Sequence, residues 1–187
     1  MKKALLLMLG AMLFISCGEK KDPAAETRAK NIEAFKGFDA AMQSGKLDDL
    51  DKYCDANFIE HTPAPGQKPG LAGLKEMYPQ WKAAWPDMKW EYTTIAADGD
   101  YVLAHYRMSG TNTGPFMGMP PTNKKMDITG VDVTKFKDGK GIEHWSYMEE
   151  MKMMTQMGLM DPSKMMPPPD AAAAPPTPDA KAPEAKK

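Results

Sequence analysis

The segment Tyr101–Phe136, YVLAHYRMSGTNTGPFMGMPPTNKKMDITGVDVTKF, decides the fold of this chain. Its two ends alternate apolar and polar residues, which predicts β-strands. Between them, residues 110–125 contain three glycines and three prolines, which favour tight turns and a rigid, extended path. A loop of this length inside a domain is more often functional than decorative. Phe116, Met117 and Met119 would be costly in water, so we expect the loop to fold inward as a lid.

Two β-hairpins are predicted on either side of this loop. Asp98–Gly99–Asp100 separates MKWEYTTIAA from YVLAHYRMSG, and KDGK at residues 137–140 separates KMDITGVDVTKF from GIEHWSYM. Short turns that contain Asp and Gly between alternating segments are a strong hairpin signal. The second half of the domain is therefore predicted to be an antiparallel sheet.

The residues around the hairpins show helical spacing instead. The helical segments are a first helix with Ile32, Phe35, Phe38 and Met42 on one face, a short one near residues 47–53, a third over about 71–85, and a closing one in MEEMKMMTQMGLM. Pro79 should kink or split the third helix, because proline lacks a backbone N–H. NFIEHTP reads as a brief strand. Helices followed by an antiparallel meander predict an α+β fold.

The first residues, MKKALLLMLGAMLFISCGEKK, have the pattern of a secretion signal, with two lysines before an apolar run too short to span a bilayer. Leu13–Ser16 resembles the lipobox of bacterial lipoproteins, which implies a signal peptide over residues 1–16, cleavage before Cys17 and acylation of Cys17. Residues 17–26 read as a charged tether. We expect a lipid-anchored protein of the bacterial cell envelope, with Gly18 favouring the outer membrane. An ordinary secretory signal is the alternative.

The rest of the chain indicates one domain. Residues 162–187 are rich in proline and alanine and contain no aromatic residue, so we expect a disordered tail, with a role as spacer or partner ligand as the alternative. The domain is placed at residues 27–161. The chain has 24 lysines and arginines against 25 aspartates and glutamates and no basic stripe, so nucleic acid is not an expected partner. Cys54 is expected to be a small buried apolar residue.

Four segments, AWPDMKWE, ADGDYVLAHYRMSGTNTGPFMGMPPTNKKMDITGVDV, FKDGKGIEHWSY and TQMGL, resemble SnoaL-like proteins. This is the polyketide-cyclase or "ester cyclase" group, which has the fold of nuclear transport factor 2. The resemblance covers about residues 32–159. It implies an open cone of a curved antiparallel sheet wrapped around about three helices, an apolar pocket inside, and a homodimer formed through the outer sheet face. It also implies aldol ring closure by a pocket aspartate without metal or cofactor.

Asp132 matches the position of that aspartate. Its strand places Met126, Ile128 and Phe136 on the same face, so the carboxylate lies in an otherwise apolar row. A carboxylate in such a row is suited to acid–base catalysis, and a structural aspartate that binds backbone amides is the alternative. His61 corresponds to a pocket histidine of the family, or is a loop residue that caps a backbone group.

The other candidate ligand-binding residues are apolar wall residues and two polar ones. They are Trp81, Trp85, Tyr106, Met108, Phe116 and Trp145, together with Asn112 and Glu143. Many family members have histidine at the position of Asn112, whose amide can orient a carbonyl but cannot exchange a proton near neutral pH. Glu143 would orient a partner or satisfy backbone amides. His105 and Arg107 lie on the strand face opposite Tyr106, and either of these faces could be the solvated one.

Three functions from different classes fit these residues. The first is cofactor-free acid–base chemistry on a small, mainly apolar carbonyl compound, with Asp132 as base and Asn112 or His61 polarising the oxygen. The second is capture of a hydrophobic small molecule without turnover. The third is Cu(I) binding by thioethers, with methionine replacing leucine on an amphipathic helix as the alternative. The methionines concerned are Met148, Met151, Met154, Met157 and Met160 at every third residue, with Met153, Met165 and Met166 nearby.

Overall fold

The computed structural model describes residues 22–165. The predicted signal peptide, the acylation site at Cys17 and the tail beyond Met165 lie outside the described residues. Within the described part of the chain, no helix is both long enough and apolar enough to cross a membrane.

Three α-helices and two short 3₁₀ helices are present in this range. They are α1 Pro23–Ser44, α2 Gly70–Ala84 and α3 Glu150–Gln156, with 3₁₀ helices at Leu47–Lys52 and Pro162–Lys164. The side chain of Asp22 begins α1 by accepting a hydrogen bond of 3.0 Å from the backbone N–H of Ala24. The first turn of α1 therefore includes residues 23–26, which were expected to be tether. The expected split at Pro79 is absent, because α2 continues through that residue as one helix.

Five strands form a single sheet in the order β1-β5-β4-β3-β2. They are β1 Cys54–Glu60, β2 Lys89–Asp98, β3 Tyr101–Thr111, β4 Lys125–Lys137 and β5 Lys140–Met148. Strands β2 to β5 are antiparallel as predicted, but β1 lies parallel to β5. The sheet is therefore mixed, which corrects the all-antiparallel expectation. Parallel neighbours need a long connection. Here α2 and three strands separate the pair, so no local pattern could reveal it.

Alternation along the strands assigns one sheet face to the interior. Tyr106 and Met108 on β3 are fully buried, so His105 and Arg107 of the same strand face outward. On β4 the buried row contains the predicted Asp132. Helix α1 contacts β2 and β3, and α2 contacts β1. The curved sheet and its helices form the predicted α+β cone.

The loop between β3 and β4 is tied to the end of α2. The backbone N–H groups of Thr113 and Gly114 both donate to the carbonyl oxygen of Ala84, at 3.0 and 3.2 Å. Glycine is required at position 114, because a Cβ atom there would lie 2.3 Å from the carbonyl oxygen of Ala83. The first part of the loop is thus a rigid extension of the helix end.

The tip of the loop is a tight turn. Phe116 and Met119 exchange backbone hydrogen bonds of 3.0 and 2.9 Å, while Met117 and Gly118 adopt positive φ angles of 50° and 78°. The side chain of Phe116 is 7% exposed, whereas that of Met117 is 44% exposed. The loop therefore folds inward at Phe116 and keeps Met117 at the surface.

Candidate functional site

A cavity of about 1140 Å³ lies between the helices and the inner face of the sheet. Its apolar wall includes Phe35 and Phe38 of α1, Tyr78 and Trp81 of α2, Phe116 and Met117 of the loop, and Met148, Met151, Met154 and Met160. Its polar floor is formed by Glu60 on β1, Tyr92 on β2, Asp132 and Thr134 on β4, and His144 and Ser146 on β5. A mainly apolar cavity with a few converging polar groups is the usual form of a small-molecule site.

Three ionisable side chains meet at the floor. Nδ1 of His144 lies 2.7 Å from Oε2 of Glu60, and Nε2 of His144 lies 3.5 Å from Oδ1 of Asp132. The side chains of His144, Glu60 and Asp132 are 21%, 11% and 5% exposed. The strand register brings them together, because His144 is paired with Glu60 on β1 and with Thr134 on β4, two residues from Asp132. We call these three residues the floor cluster.

The carboxylates of the floor cluster hold His144 in its charged form. Burial alone would lower the pKa of His144, but Asp132 and Glu60 outweigh that effect and raise the pKa to about 9. Burial would also raise the pKa of Glu60, yet hydrogen bonds from His144 and Thr62 leave it below its ordinary value. The cluster is thus an imidazolium between two carboxylates, with a net charge of −1 when both are ionised.

The loop after β1 holds Glu60 in place. The backbone N–H and the hydroxyl of Thr62 donate to Oε1 of Glu60 at 3.0 and 2.8 Å, and the backbone N–H of Ser146 donates to Oγ1 of Thr62 at 2.8 Å. The other oxygen of Glu60 contacts His144. Because one ring nitrogen is bound there, the other nitrogen faces Asp132. Glu60 therefore orients the ring as well as stabilising its charge.

Tyr92 binds one oxygen of Asp132, and the other oxygen has only the ion-pair contact of 3.5 Å with His144. The Tyr92 hydroxyl donates to Oδ2 at 2.9 Å. Burial and the nearby carboxylates of Asp132 and Asp39 raise the pKa of Tyr92 far above its usual range, so the hydroxyl keeps its proton. Oδ1 of Asp132 is buried and accepts no hydrogen bond from any residue in the range 22–165. A buried acceptor without a donor is costly, so this oxygen is the place where a ligand proton would be accepted.

Three of the predicted site residues line this cavity: Asp132, Trp81 and Phe116. The ring centroids of Trp81 and Phe116 are 4.7 Å apart, so helix α2 and the loop tip form one aromatic wall. The structure thus brings the predicted carboxylate and two of the predicted aromatic residues to the same space.

Tyr106 and Met108 belong to the inner sheet face but are fully buried behind the cavity surface. The Tyr106 hydroxyl lies 3.3 Å from Oγ of Ser146, which does line the cavity. Gly130, paired with Tyr106 on β4, leaves room for the tyrosine ring, because a Cβ atom there would lie 2.4 Å from the hydroxyl oxygen. Tyr106 therefore supports the floor rather than forming it.

Trp85 and Asn112 are buried at the junction of the loop and α2, outside the cavity lining. The amide nitrogen of Asn112 donates to the carbonyl oxygens of Gly114 at 2.9 Å and Ala84 at 3.3 Å. Its amide oxygen accepts a hydrogen bond of 2.8 Å from the backbone N–H of Thr122. All three bonds go to the backbone, so Asn112 organises the loop and does not face the cavity.

His61, Glu143 and Trp145 lie on the outer side of the sheet, which corrects their expected pocket positions. The rings of His61 and Trp145 stack with centroids 4.2 Å apart and an interplanar angle of 3°. Nε2 of His61 lies 2.9 Å from Glu143, which also binds the ammonium of Lys135 at 2.9 Å. Trp145 is paired with Val133, whose side chain points away from the cavity. These residues form an outer cluster separate from the floor.

A β-bulge decides which face of β5 meets the cavity. With regular pairing from the turn between Lys137 and Lys140, Trp145 would lie opposite Asp132. The register shifts between Lys135 and Phe136, so Ser146 is opposite Asp132 instead. A shift of one residue exchanges the two faces of a strand. His144, which sequence reasoning missed, is brought to the cavity floor by this shift.

Two further cavity carboxylates, Glu60 and Asp39, were also missed. Glu60 comes at the end of the edge strand, and its partner in β5 is 84 residues away. Asp39 lies on α1 beside the predicted apolar row of that helix and lines the cavity. The helical spacing around Asp39 was the one available signal, since it placed this residue one turn after Phe35 and one turn before Met42.

Several sulfur-containing side chains lie in the apolar wall and the core. Met151 and Met154 line the cavity mouth, whereas Met157 is buried in the core. Cys54 is 4% exposed, and burial raises the pKa of its thiol to about 12. Across residues 22–165, no three His, Cys, Asp or Glu side chains are grouped so as to hold a metal ion.

The sequence model of the SnoaL-like polyketide cyclase family matches residues 32–157. The nogalonic acid methyl ester cyclase of Streptomyces nogalater is 24% identical over 121 residues, which are 64% of this chain and 90% of that protein. TsrD from Streptomyces laurentii has a similar fold, with a TM-score of 0.64, 23% identity, and coverage of 71% of this chain and 98% of that chain. IdmH from Streptomyces antibioticus matches with a TM-score of 0.59, 26% identity, and coverage of 68% and 98%. Because the family match spans most of the chain and the fold agrees with it, this chain belongs to the SnoaL-like polyketide cyclase family.

Proposed function

We propose that the cavity binds a small, mainly apolar carbonyl compound and that the floor cluster carries out acid–base chemistry on it without a cofactor. The observation that carries this proposal is Oδ1 of Asp132, which is buried at the floor, accepts no hydrogen bond from the described residues and lies 3.5 Å from the His144 imidazolium. The nogalonic acid methyl ester cyclase also supports it, because that relative is named as a cyclase.

In the proposed reaction, Oδ1 of Asp132 takes a proton from the carbon next to a carbonyl group of the bound molecule. The imidazolium of His144 stabilises the negative charge that develops on the adjacent carbonyl oxygen. The resulting enolate attacks a second carbonyl of the same molecule, or is protonated again at another atom, and Asp132 returns its proton. Ring closure and isomerisation are both balanced by this cycle. Tyr92 keeps Asp132 in place throughout.

Binding without turnover is the second candidate function, and the position of Asn112 favours it. Many members of the family have histidine there, whereas the Asn112 side chain is engaged by the loop backbone. A protein that lacks that imidazole could hold an apolar molecule in the same cavity without transforming it. The two candidates differ in what Asp132 contributes.

Native mass spectrometry of the full-length protein, isolated gently from its own host, tests both candidates. We expect a co-purifying molecule with a mainly apolar body. With that molecule in hand, the Asp132→Asn variant should lose roughly 10²–10⁴-fold in turnover while its affinity changes little. Glu143→Gln, on the outer face, is the matched control. Unchanged turnover in Asp132→Asn would reject the chemistry, and an absence of turnover in the unaltered protein would leave the binding function.

We also propose that the chain is a lipid-anchored protein of the bacterial cell envelope, held at the outer membrane through Cys17. The support is the sequence MKKALLLMLGAMLFISC, in which a short apolar run ends at a lipobox-like segment before Cys17. Acyl chains at that residue would anchor the domain firmly. The cavity would then lie close to apolar molecules that partition into the membrane.

We propose a homodimer that forms through the outer sheet face. The support is the exposed apolar residues on that face. Leu103 is 43% exposed and Tyr101 is 39% exposed, and both lie on the face of β3 opposite its buried row, outside the cavity lining. Leu103→Lys combined with Tyr101→Lys should convert a dimer to a monomer in light scattering coupled to size-exclusion chromatography. Leu159→Lys, at a residue 37% exposed beyond α3, is the control. A monomeric unaltered protein would reject the dimer.

A further inference from the structure

The interior of the cavity has an excess of negative charge. Its charged interior residues are Asp39, Glu60 and Asp132 against His144. The other four charged lining residues are Lys82, Lys89, Glu91 and Glu150, two of each sign. Their charges cancel, so the lining as a whole has a net charge of −2 when its carboxylates are ionised. An anionic ligand would be repelled by this interior and a cationic ligand would be attracted.

Asp39 contributes one of these two negative charges, and the floor cluster contributes the other. Nε2 of Gln43 donates to both oxygens of Asp39, at 2.9 and 2.8 Å. Burial and the negative charge of Asp132 raise the pKa of Asp39, and no cation within residues 22–165 acts in the opposite direction. A carboxylate on an apolar wall is thus left without a positive partner.

A second, independent observation points to a ligand at the same place. Asp132 is 4% exposed, lines the cavity, and its Oδ1 has no hydrogen-bond donor among the described residues. The contact of 3.5 Å with His144 leaves this oxygen unsatisfied. Buried acceptors in native proteins are nearly always paired, so a ligand that brings a donor would complete the site.

The aromatic walls are suited to a cation as well as to an apolar body. Trp81, Trp90, Tyr92 and Tyr78 line the same cavity as Asp39. Aromatic faces attract ammonium groups, most strongly where water is excluded. A carboxylate without a cation and a set of aromatic rings are the usual parts of a site for an organic amine.

We propose that the ligand of this cavity carries a protonated nitrogen, which Asp39 binds, on an otherwise apolar body. This inference rests on the proposed function, since it names the class of molecule that the cavity takes. It excludes fatty acids and other apolar anions as natural ligands. The carbonyl of the proposed reaction and the ammonium would belong to the same molecule, with the carbonyl at the floor cluster and the nitrogen at the α1 wall.

Three probes that share one alkyl chain and differ in the charge of their polar group test the proposal. Dodecylammonium, dodecanol and dodecanoate share a twelve-carbon chain and carry +1, 0 and −1 charges at pH 7. Isothermal titration calorimetry with the full-length protein should rank their affinities in that order. We expect the ammonium to bind at least roughly tenfold more tightly than the carboxylate, which corresponds to one pKa unit of electrostatic interaction. Raising the ionic strength should reduce this difference.

Asp39→Asn should remove most of the preference for the ammonium and leave dodecanol binding unchanged. Glu33→Gln removes the same charge from an exposed position of α1 outside the cavity, and it should change nothing. Equal or tighter binding of dodecanoate to the unaltered protein, or an unchanged preference in Asp39→Asn, would overturn the proposal. Binding of none of the three probes would instead count against the apolar-ligand function itself.

Discussion

The Asp132→Asn variant is expected to lower the pKa of His144 from about 9 by roughly one to three units. The asparagine keeps the shape of the side chain and removes one of the two carboxylates that stabilise the imidazolium. Burial, which favours the neutral ring, then acts against Glu60 alone. Because a larger fraction of His144 would then be neutral near pH 7, the variant should also lose part of the oxyanion stabilisation on which the proposed chemistry depends.

Nuclear magnetic resonance can follow this change directly, because the chain has only three histidines. The imidazole signals of His61, His105 and His144 can be assigned by single substitutions and titrated with pH. Glu143→Gln removes a carboxylate that contacts the outer-face His61 and should leave the titration of His144 unchanged. A His144 pKa near 9 in Asp132→Asn would show that the floor cluster is not coupled as the geometry indicates.

The same variant should alter how stability depends on pH. The folded-state pKa of His144 is about 9 and the ordinary value is 6.5. A raised pKa contributes stability that is fully present below about pH 6.5 and lost as the pH rises through about 9. The loss between these limits is at most about 3 kcal/mol. Urea denaturation of the unaltered protein at pH 6 and pH 9 should show most of this difference, and Asp132→Asn should show less.

The Asn112→Ala variant is expected to destabilise the protein by about 2–4 kcal/mol. Asn112 is 1% exposed, and its truncation leaves the carbonyl of Gly114 and the backbone N–H of Thr122 without this side-chain partner, while the carbonyl of Ala84 loses one of its three donors. Each unpaired buried group costs free energy because water cannot reach it. Chemical denaturation monitored by circular dichroism measures the change.

Thr113→Ala is the matched control for this variant. Thr113 is the next residue along the loop and its side chain is exposed, while its hydrogen bond to Ala84 comes from the backbone and survives the substitution. We expect a change within about 0.5 kcal/mol. If Asn112→Ala were as stable as Thr113→Ala, the loop would not depend on the Asn112 network.

The sequence by itself determined the fold class and the position of the main carboxylate. The alternation in β3 and β4 is strict, and one buried row contains Asp132 among apolar residues. Strict alternation leaves a strand only one way to bury its apolar side. The glycines and prolines of residues 110–125 likewise marked the loop whose tip brings Phe116 to the cavity wall.

Only the tertiary structure decided which residues complete the site. Glu60 reaches His144 through parallel pairing across 84 residues, a contact that no local pattern specifies. The bulge near Lys135 turned His144 inward and Trp145 outward, because a shift of one residue exchanges the two faces of a strand. Local periodicity determines that a strand has two faces, whereas the pairing with its neighbours determines which face meets the cavity.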